Sequence, residues 1–275
     1  MLDKSAKFEK LKTIIKDMKS VLIAYSGGVD STFLAKVSSD ILGEKCLAVL
    51  AESETYSVYE VEQAIKTAED LKLKYMVIET KELEDKKFSD NPENRCYYCK
   101  KELFSKLIEL AKENNIKYVA DGTNCDDTSD YRPGRIAADE LGVRSPLKEA
   151  LLSKDEIRVL SRESGLSTWD KPSYACLASR FPYGTSITRE SLKKVDIAEK
   201  FLKDLGFKQV RVRHYKDIAR IEVEKKEMNK IFEDGIMDKI TGKLEELGYI
   251  YVTLDLKGYR TGSMNEGIKN DTSIS

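Results

Sequence analysis

The hexapeptide Ser26-Gly27-Gly28-Val29-Asp30-Ser31 decides the fold of this chain, because it joins two segments of different periodicity. Before it, residues 21–25 are almost entirely apolar, as in a buried strand. After it, apolar residues recur at helical spacing up to Gly43, which can end a helix. The stretch therefore predicts a strand, a tight turn and a helix.

The alternation of strand and helix extends through the first half of the chain. A helix over 4–19 precedes the first strand. The later pattern predicts strands at 46–51, 74–79 and 117–121, and helices at 57–71, 100–113 and 134–141. Such alternation is typical of an α/β fold in which helices cover a parallel sheet.

The pattern changes after residues 181–186. A helix at 188–205, a hairpin of 209–213 with 218–224, further helix to about 247 and a strand at 250–256 predict a smaller C-terminal α+β domain. A chain of 275 residues suits two domains. We expect their limits at 1–182 and 183–275.

Composition excludes several classes of protein. The 47 basic and 48 acidic side chains nearly balance, which argues weakly against a nucleic-acid partner. No apolar run reaches the roughly 20 residues that span a bilayer, and the N-terminus lacks the apolar region of a signal peptide. We therefore expect a cytoplasmic protein with no membrane partner, whose five cysteines serve metal binding or catalysis rather than disulfides.

The glycine turn has the chemistry of a phosphate site. Free amides and the positive end of the helix can face anionic oxygens, and Ser26 and Ser31 can add hydroxyl donors. Asp30 is a candidate ligand for Mg²⁺ on the phosphates. The spacing matches neither Gly-x₄-Gly-Lys-Ser/Thr nor Gly-x-Gly-x-x-Gly. An ordinary capped glycine turn is the structural alternative.

Three cysteines suggest a metal centre. Cys96 and Cys99 stand just before a predicted helix, whose dipole favours thiolates, and Cys176 lies in a polar loop. Three thiolates suit a [4Fe-4S] cluster with one open iron better than a structural zinc site, which takes four ligands. Chance placement in loops is the alternative. Cys46 opens a buried strand and is expected to serve packing.

A second polar loop, residues 122–134, follows the fourth predicted strand, where open α/β sheets bind ligands. Its Asp126, Asp127 and Asp130 are candidates to assist Mg²⁺, although Asx turns explain them nearly as well. Cys125 is expected to be a bystander.

SGGVDS after a strand resembles the signature of the N-type ATP pyrophosphatases, which include asparagine, GMP and NAD synthetases and tRNA thiolases. The resemblance implies cleavage of ATP to AMP and pyrophosphate through an adenylylated intermediate. It also implies nucleotide contacts at the hexapeptide, at the end of the second strand, and at the loop after the fourth strand: Ser26, Gly27, Gly28, Val29, Asp30, Ser31, Ala51, Gly122, Thr123 and Asn124.

Further motifs, NRCYYCK, GTNCDDTSDYRPGR, WDKPSYACLASRFPYGT, RVRHYKDIARIEVE and YRTGSMN, closely resemble the Lar-type ATP-dependent sulfur transferases over nearly the whole chain. The resemblance implies adenylylation of a carboxylate of pyridinium-3,5-dicarboxylate mononucleotide and its conversion to a thiocarboxylate for the nickel-pincer cofactor. In this family sulfur comes from a sacrificed cysteine, here Cys176, or from a cluster held by three cysteines. Because Cys96 and Cys99 accompany Cys176, we predict the cluster form, with ATP, Mg²⁺ and [4Fe-4S] as cofactors.

The same resemblance gives roles to other residues. Asp30 and Cys176 would be catalytic. Arg211 and Arg213 alternate along one strand, so both could clamp the substrate phosphate, with Arg260 and Lys101 as weaker candidates; solvated charges are the alternative. A homo-oligomer is implied, with a sulfur donor and other pincer-biosynthesis proteins as partners.

Three other functions fit parts of the sequence. A tRNA thiolase shares the loop and the cysteines, but no strongly basic RNA-binding domain is present. An ammonia-dependent amide synthetase leaves the three cysteines without a role. A non-catalytic nucleotide-binding regulator would release no pyrophosphate.

Overall fold

The computed structural model describes residues 3–129, 133–172, 175–260 and 262–263. The chain divides into two compact units. The first unit comprises Met1–Phe88 and Asn94–Tyr174, and the second comprises Ser89–Glu93 and Ala175–Ser275. The domain limits 1–182 and 183–275 stay a prediction.

A four-stranded parallel sheet forms the centre of the first unit. Its spatial order is β3-β2-β1-β4, with β1 at Val21–Tyr25, β2 at Cys46–Glu52, β3 at Tyr75–Glu79 and β4 at Tyr118–Ala120. Nearly every residue of β1 and β2 is buried, as expected for central parallel strands covered on both faces. The predicted α/β fold is confirmed.

Helices cover both faces of this sheet. The helices between residues 4 and 163 are α1 (Lys4–Met18), α2 (Val29–Leu42), α3 (Val58–Asp70), α4 (Lys86–Ser89), α5 (Arg95–Glu113), α6 (Pro133–Glu140), α7 (Pro146–Glu149) and α8 (Lys154–Glu163), and all but the short α4 contribute to the cores on the two faces. Alternate strand residues face opposite sides, so Ile23 packs in the core under α1, α2 and α3, whereas Leu22 packs in the core under α5.

The strand order creates a crevice at the carboxyl edge of the sheet. From β1 the chain proceeds to β2 and β3 on one side, and then returns to place β4 on the other side of β1. Parallel sheets bind ligands where the order reverses in this way. The loops that follow β1 and β4 therefore meet at the expected ligand site.

The second unit is smaller and contains a mixed three-stranded sheet. β5 (Val210–Tyr215) pairs antiparallel with β6 (Ile218–Val223), which pairs parallel with β7 (Tyr251–Leu254). The helices that accompany this sheet are α9 (Arg189–Asp204), α10 (Met228–Ile231) and α11 (Ile236–Glu246). This confirms the predicted smaller region with both helices and strands.

Two differences from the predicted elements concern helices. α5 begins at Arg95 rather than residue 100, so Cys96 and Cys99 lie in its first turn and not before it. Cysteine and tyrosine are weak helix formers, which hides this turn from sequence patterns. α8 is absent from the predicted elements, although Ser153 and Glu156 form a capping box at its start.

A buried ion pair joins two elements of the second unit. Arg180 lies in a short 3₁₀ helix over Leu177–Arg180, and its guanidinium makes two 2.7 Å hydrogen bonds to the carboxylate of Glu199 on α9. Glu199 also accepts a 2.9 Å bond from the amide of Val212. Burial alone would raise the pKa of Glu199, but the charge of Arg180 lowers it overall.

Replacing Glu199 with alanine leaves Arg180 as an uncompensated buried charge. We expect the free energy of unfolding to fall by about 3–5 kcal/mol. The neighbouring Lys200→Ala removes an exposed pair with Asp204 and should change it by less than about 0.5 kcal/mol. Circular dichroism in urea is the suitable measurement. The fluorescence of Trp169, the single tryptophan, would report on the first unit instead. Equal stability of the two variants would contradict a structural role for the pair.

Candidate functional site

The hexapeptide forms a tight loop between β1 and α2, as the sequence predicts. Gly27 has a φ of +67°, and Gly28 is the N-cap residue of α2. The Ser31 hydroxyl closes the loop, because the amide of Ser26 donates to it over 3.1 Å and the Ser26 hydroxyl lies 3.0 Å from it. The first amides of α2 have no partner within the helix and are available to an anion.

Close backbone packing holds this loop on both sides. A Cβ on Gly27 would lie 2.5 Å from the Cβ of Ala64 on α3. A Cβ on Gly122, which follows β4, would lie 2.9 Å from the amide nitrogen of Ser31. The structure thus brings the two predicted nucleotide-binding loops into contact at Gly122.

Asp30 lies in the first turn of α2 and is mostly buried. Lys154, the first residue of α8, forms an ion pair with its Oδ2, while its Oδ1 is buried with no hydrogen-bond partner among the described residues. Burial raises the pKa of Asp30, and the nearby charge of Lys154 only partly offsets this effect. An unpartnered carboxylate oxygen beside a phosphate-type loop suits a hard cation such as Mg²⁺.

The loop after β4 is ordered by its own acidic residues. The amide of Thr123 donates to Asp121 over 3.1 Å, and the amide of Asn124 donates to Asp127 over 3.0 Å. Asp126 accepts a 2.7 Å bond from the amide of Lys154 at the start of α8. Asp126 and Asp127 therefore stabilise the loop and the start of α8, as the Asx-turn alternative expects.

Other predicted positions near this edge can be located. Ala51 is buried at the carboxyl end of β2, next to the strand that carries the loop. Cys125 lines a cavity of about 430 Å³ together with Arg144 and Lys148. Asp130 lies outside the described residues. Cys46 is buried at the start of β2, and burial raises its pKa to about 12, so it stays a protonated packing residue.

Two lysines at the loop are absent from the residues predicted from sequence. One is Lys154; the other is Lys171, whose Nζ donates to the carbonyl oxygen of Gly27 over 3.2 Å and lies 3.0 Å from a carboxylate oxygen of Glu60 on α3. Lys171 belongs to the motif WDKPSYAC, but no local pattern in that motif distinguishes its side chain. Lys154 follows the unrecognised cap of α8.

The three cysteines belong to different units. Cys96 and Cys99 lie one helical turn apart on α5 of the first unit, Cys96 exposed and Cys99 partly buried. Cys176 lies in the second unit, where its carbonyl oxygen accepts a 2.9 Å bond from Arg180. None of the three forms a disulfide bond. Among the described residues, no group of three or more His, Cys, Asp or Glu is arranged to hold a metal ion.

The predicted phosphate-clamp arginines are buried in the second unit. Arg213 donates to Glu222 over 2.7 Å and to the carbonyl oxygen of Ser179 over 2.7 Å. Arg211 packs against the ring of Tyr259. Burial, followed by the like charge of Arg180, lowers the pKa of Arg211. These arginines therefore concentrate positive charge in the second unit, but Arg213 is already paired with Glu222.

The two weaker candidates are less buried. Arg260 donates to the carbonyl oxygen of Gly258 over 2.9 Å and lies 3.5 Å from a carboxylate oxygen of Asp255. Lys101 is exposed on α5 and donates to the hydroxyl of Tyr97 over 3.2 Å. The roles of all four basic residues stay a prediction.

Comparison with known proteins gives consistent similarities. A family model described as NAD synthase matches residues 3–115. An uncharacterized protein of Synechocystis is 44% identical over 94% of this chain and 97% of its own length. A pyridinium-3,5-bisthiocarboxylic acid mononucleotide synthase of Lactiplantibacillus plantarum is 40% identical over 93% and 92%. An uncharacterized protein of Methanocaldococcus jannaschii is 33% identical over 93% and 98%.

Within the part of the chain that the structure describes, the helices lack the length and apolar character of a membrane span.

Gly122→Ala tests the contact between the two loops. The new methyl group would press on the backbone of Asp30 and Ser31, so we expect ATP affinity to fall at least about 10-fold. The control Gly242→Ala lies in α11 with open space around the added carbon and should leave affinity unchanged. Isothermal titration calorimetry measures both variants. Tight ATP binding by Gly122→Ala would show that the two loops need not touch.

Asp30→Asn tests the electrostatic cost of the site. A raised pKa in the folded state means that the ionised carboxylate opposes folding at neutral pH, and that this cost disappears as pH falls towards the ordinary value of 3.8. We expect the free energy of unfolding of the variant to exceed that of the wild type by about 1 kcal/mol at pH 7. This difference in stability should disappear in acid.

Urea denaturation over a pH series measures this difference. The matched control is Asp40→Asn, which removes an exposed charge from the same helix and should shift stability by less than about 0.5 kcal/mol. A destabilised Asp30→Asn would mean that the ion pair with Lys154 outweighs burial.

Proposed function

This chain belongs to the Lar-type ATP-dependent sulfur transferases, and on that premise we propose that it adenylylates a carboxylate of pyridinium-3,5-dicarboxylate mononucleotide and converts it to a thiocarboxylate. Membership follows from the 40% identity to the Lactiplantibacillus plantarum synthase over 93% of the chain. The chain is thus an ATP-dependent sulfurtransferase. The choice of the mononucleotide as acceptor rests on the name and family of that relative.

The observation that supports the first half-reaction is the contact between the loops that follow β1 and β4 at the carboxyl edge of the sheet. The loop amides and Lys171 would face the β- and γ-phosphates, and Asp30 would hold Mg²⁺ through its unpartnered Oδ1. The substrate carboxylate attacks the α-phosphorus, and pyrophosphate leaves. Loop amides and metal offset the charge that accumulates on the leaving group. Ala51 and the Gly122–Asn124 loop would contact adenosine.

The second half-reaction replaces AMP with sulfur. A sulfide sulfur attacks the activated carbonyl carbon, the bond to the adenylate oxygen breaks, and a thiocarboxylate and AMP result. Holding the nucleophile close to the carbonyl removes the need for a high concentration of free sulfide. Cys176 and Asp30 are the residues to which we assign the catalytic roles.

We assign the sulfur supply to a [4Fe-4S] cluster held by Cys96, Cys99 and Cys176. Cysteine thiolates are the ligands of such clusters, and Cys96 and Cys99 lie at i and i+3 in the first turn of a helix, where thiolates are favoured. When bound, such a cluster supplies a sulfide on its open iron.

The mononucleotide phosphate would bind the buried arginines of the second unit. An anion there would offset the two effects that lower the pKa of Arg211, its burial and its repulsion with Arg180. Arg213, Arg260 and Lys101 complete the proposed set.

The proposal also covers location and partners. The protein would be a cytoplasmic homo-oligomer that receives sulfur from a donor protein and supplies other pincer-biosynthesis proteins.

Anaerobic purification with iron and sulfide analysis tests the sulfur source. We expect about four irons per chain in the wild type. Cys96→Ala and Cys176→Ala should lose most of this iron and at least about 100-fold in thiocarboxylate formation, because an incomplete ligand set does not hold the cluster. Cys125→Ala is the control and should keep its iron.

Intact-mass analysis after turnover separates the rival sulfur source. An iron-free protein whose mass has fallen by one H₂S after turnover would establish the sacrificial-cysteine form of the same enzyme. Tight, salt-sensitive binding of tRNA with thiolation of a base would replace the mononucleotide as acceptor.

A further inference from the structure

A buried polar cluster lies at the carboxyl edge of the first unit's sheet, apart from the loop residues already assigned. We call Ser53, Thr55 and Glu82 the Glu82 cluster. Oε1 of Glu82 accepts a 2.7 Å bond from the Ser53 hydroxyl and a second bond from the Thr55 hydroxyl. The amide of Thr55 donates to the Ser53 hydroxyl over 3.2 Å. Glu82 and Thr55 are 2% and 1% exposed.

The cluster joins the carboxyl ends of two neighbouring strands. Ser53 and Thr55 follow β2, whereas Glu82 begins the short turn that follows β3. β2 and β3 are in parallel register to their last residues, and the amide of Thr80 donates to the carbonyl oxygen of Glu52 over 2.9 Å. Glu82 therefore fixes the path of the chain as it leaves β2, on the same edge as the phosphate-type loop.

Stability alone does not account for this arrangement. Oε2 of Glu82 is buried with no hydrogen-bond partner among the described residues. A half-satisfied buried carboxylate disfavours folding, and apolar side chains at the three positions would avoid that penalty. Sites that break such rules are expected where function requires a fixed geometry.

The segment that Glu82 holds runs from the end of β2 to the start of α3, a helix that Val61, Ala64 and Ala68 anchor separately in the core. Ser53–Ser57 connects β2 to α3, and the amide of Tyr56 donates to the carbonyl oxygen of Ser53 over 3.1 Å. α3 carries Ala64, which packs against Gly27. One end of the segment adjoins Ala51, and the other begins the helix behind the loop.

We propose that Glu82 is a positioning residue for the adenosine half of ATP. Through Ser53 and Thr55 it sets the segment after Ala51 at a fixed place relative to the phosphate-type loop, without touching the nucleotide. This inference rests on the proposed function for its ligand. It predicts that binding of the adenosine half depends on Glu82 and that binding of pyrophosphate does not.

Glu82→Gln provides the test, with dissociation constants for AMP and for magnesium pyrophosphate measured by calorimetry on the full chain. An amide keeps one acceptor but brings an extra donor against two hydroxyls, so we expect AMP affinity to fall about 10-fold or more. Pyrophosphate affinity should stay within about 2-fold. The matched control, Glu84→Gln, changes an exposed carboxylate of the same turn and should alter neither constant.

A second variant guards against a folding defect. If Glu82→Gln does not fold, Ser53→Ala combined with Thr55→Val takes its place. This double variant removes both hydroxyl donors and should show the same selective loss of AMP affinity. Unchanged AMP binding in either folded variant, or equal loss of AMP and pyrophosphate binding, overturns the inference. A wild type that binds AMP and pyrophosphate but transfers no sulfur would refute the proposed acceptor chemistry and leave this inference standing.

Discussion

The lack of space for a single carbon atom at Gly27 and Gly122 is the constraint on which the rest of the site depends. At Gly27 the phosphate-type loop lies against α3, and at Gly122 the loop after β4 lies against the backbone of Ser31. Both contacts are closer than any side chain would allow. They fix the loops that follow β1 and β4 against their neighbours, and with them the positions of Asp30 and the amides at the start of α2.

The sequence predicted those parts of the fold that have local signals. The apolar run of β1 and the glycines after it indicate a strand, a turn and a helix within some twenty residues, and all three are present. The start of α5 was mispredicted because the Cys-Tyr-Tyr-Cys stretch has neither strong helix propensity nor clear periodicity.

Long-range contacts in the site could not be predicted in this way. Lys154 reaches Asp30 across 124 positions, and Lys171 reaches Gly27 across 144. No periodic pattern encodes such contacts. The alternation of Arg211 and Arg213 was visible, but their burial depends on Glu199 and Glu222, which come from other elements of the second unit. Carboxylates at those positions have no distinguishing local pattern.

The ion pair between Lys154 and Asp30 has a consequence for the order in which ligands arrive. Because the ammonium group of Lys154 already pairs with the carboxylate of Asp30, a bare divalent cation must compete with a tethered cation for this ligand. A cation that carries its own polyphosphate brings the missing negative charge and gives Lys154 a new partner. On the proposed function, we therefore expect metal and nucleotide to enter the site as one complex, rather than free Mg²⁺ to bind Asp30 before ATP arrives.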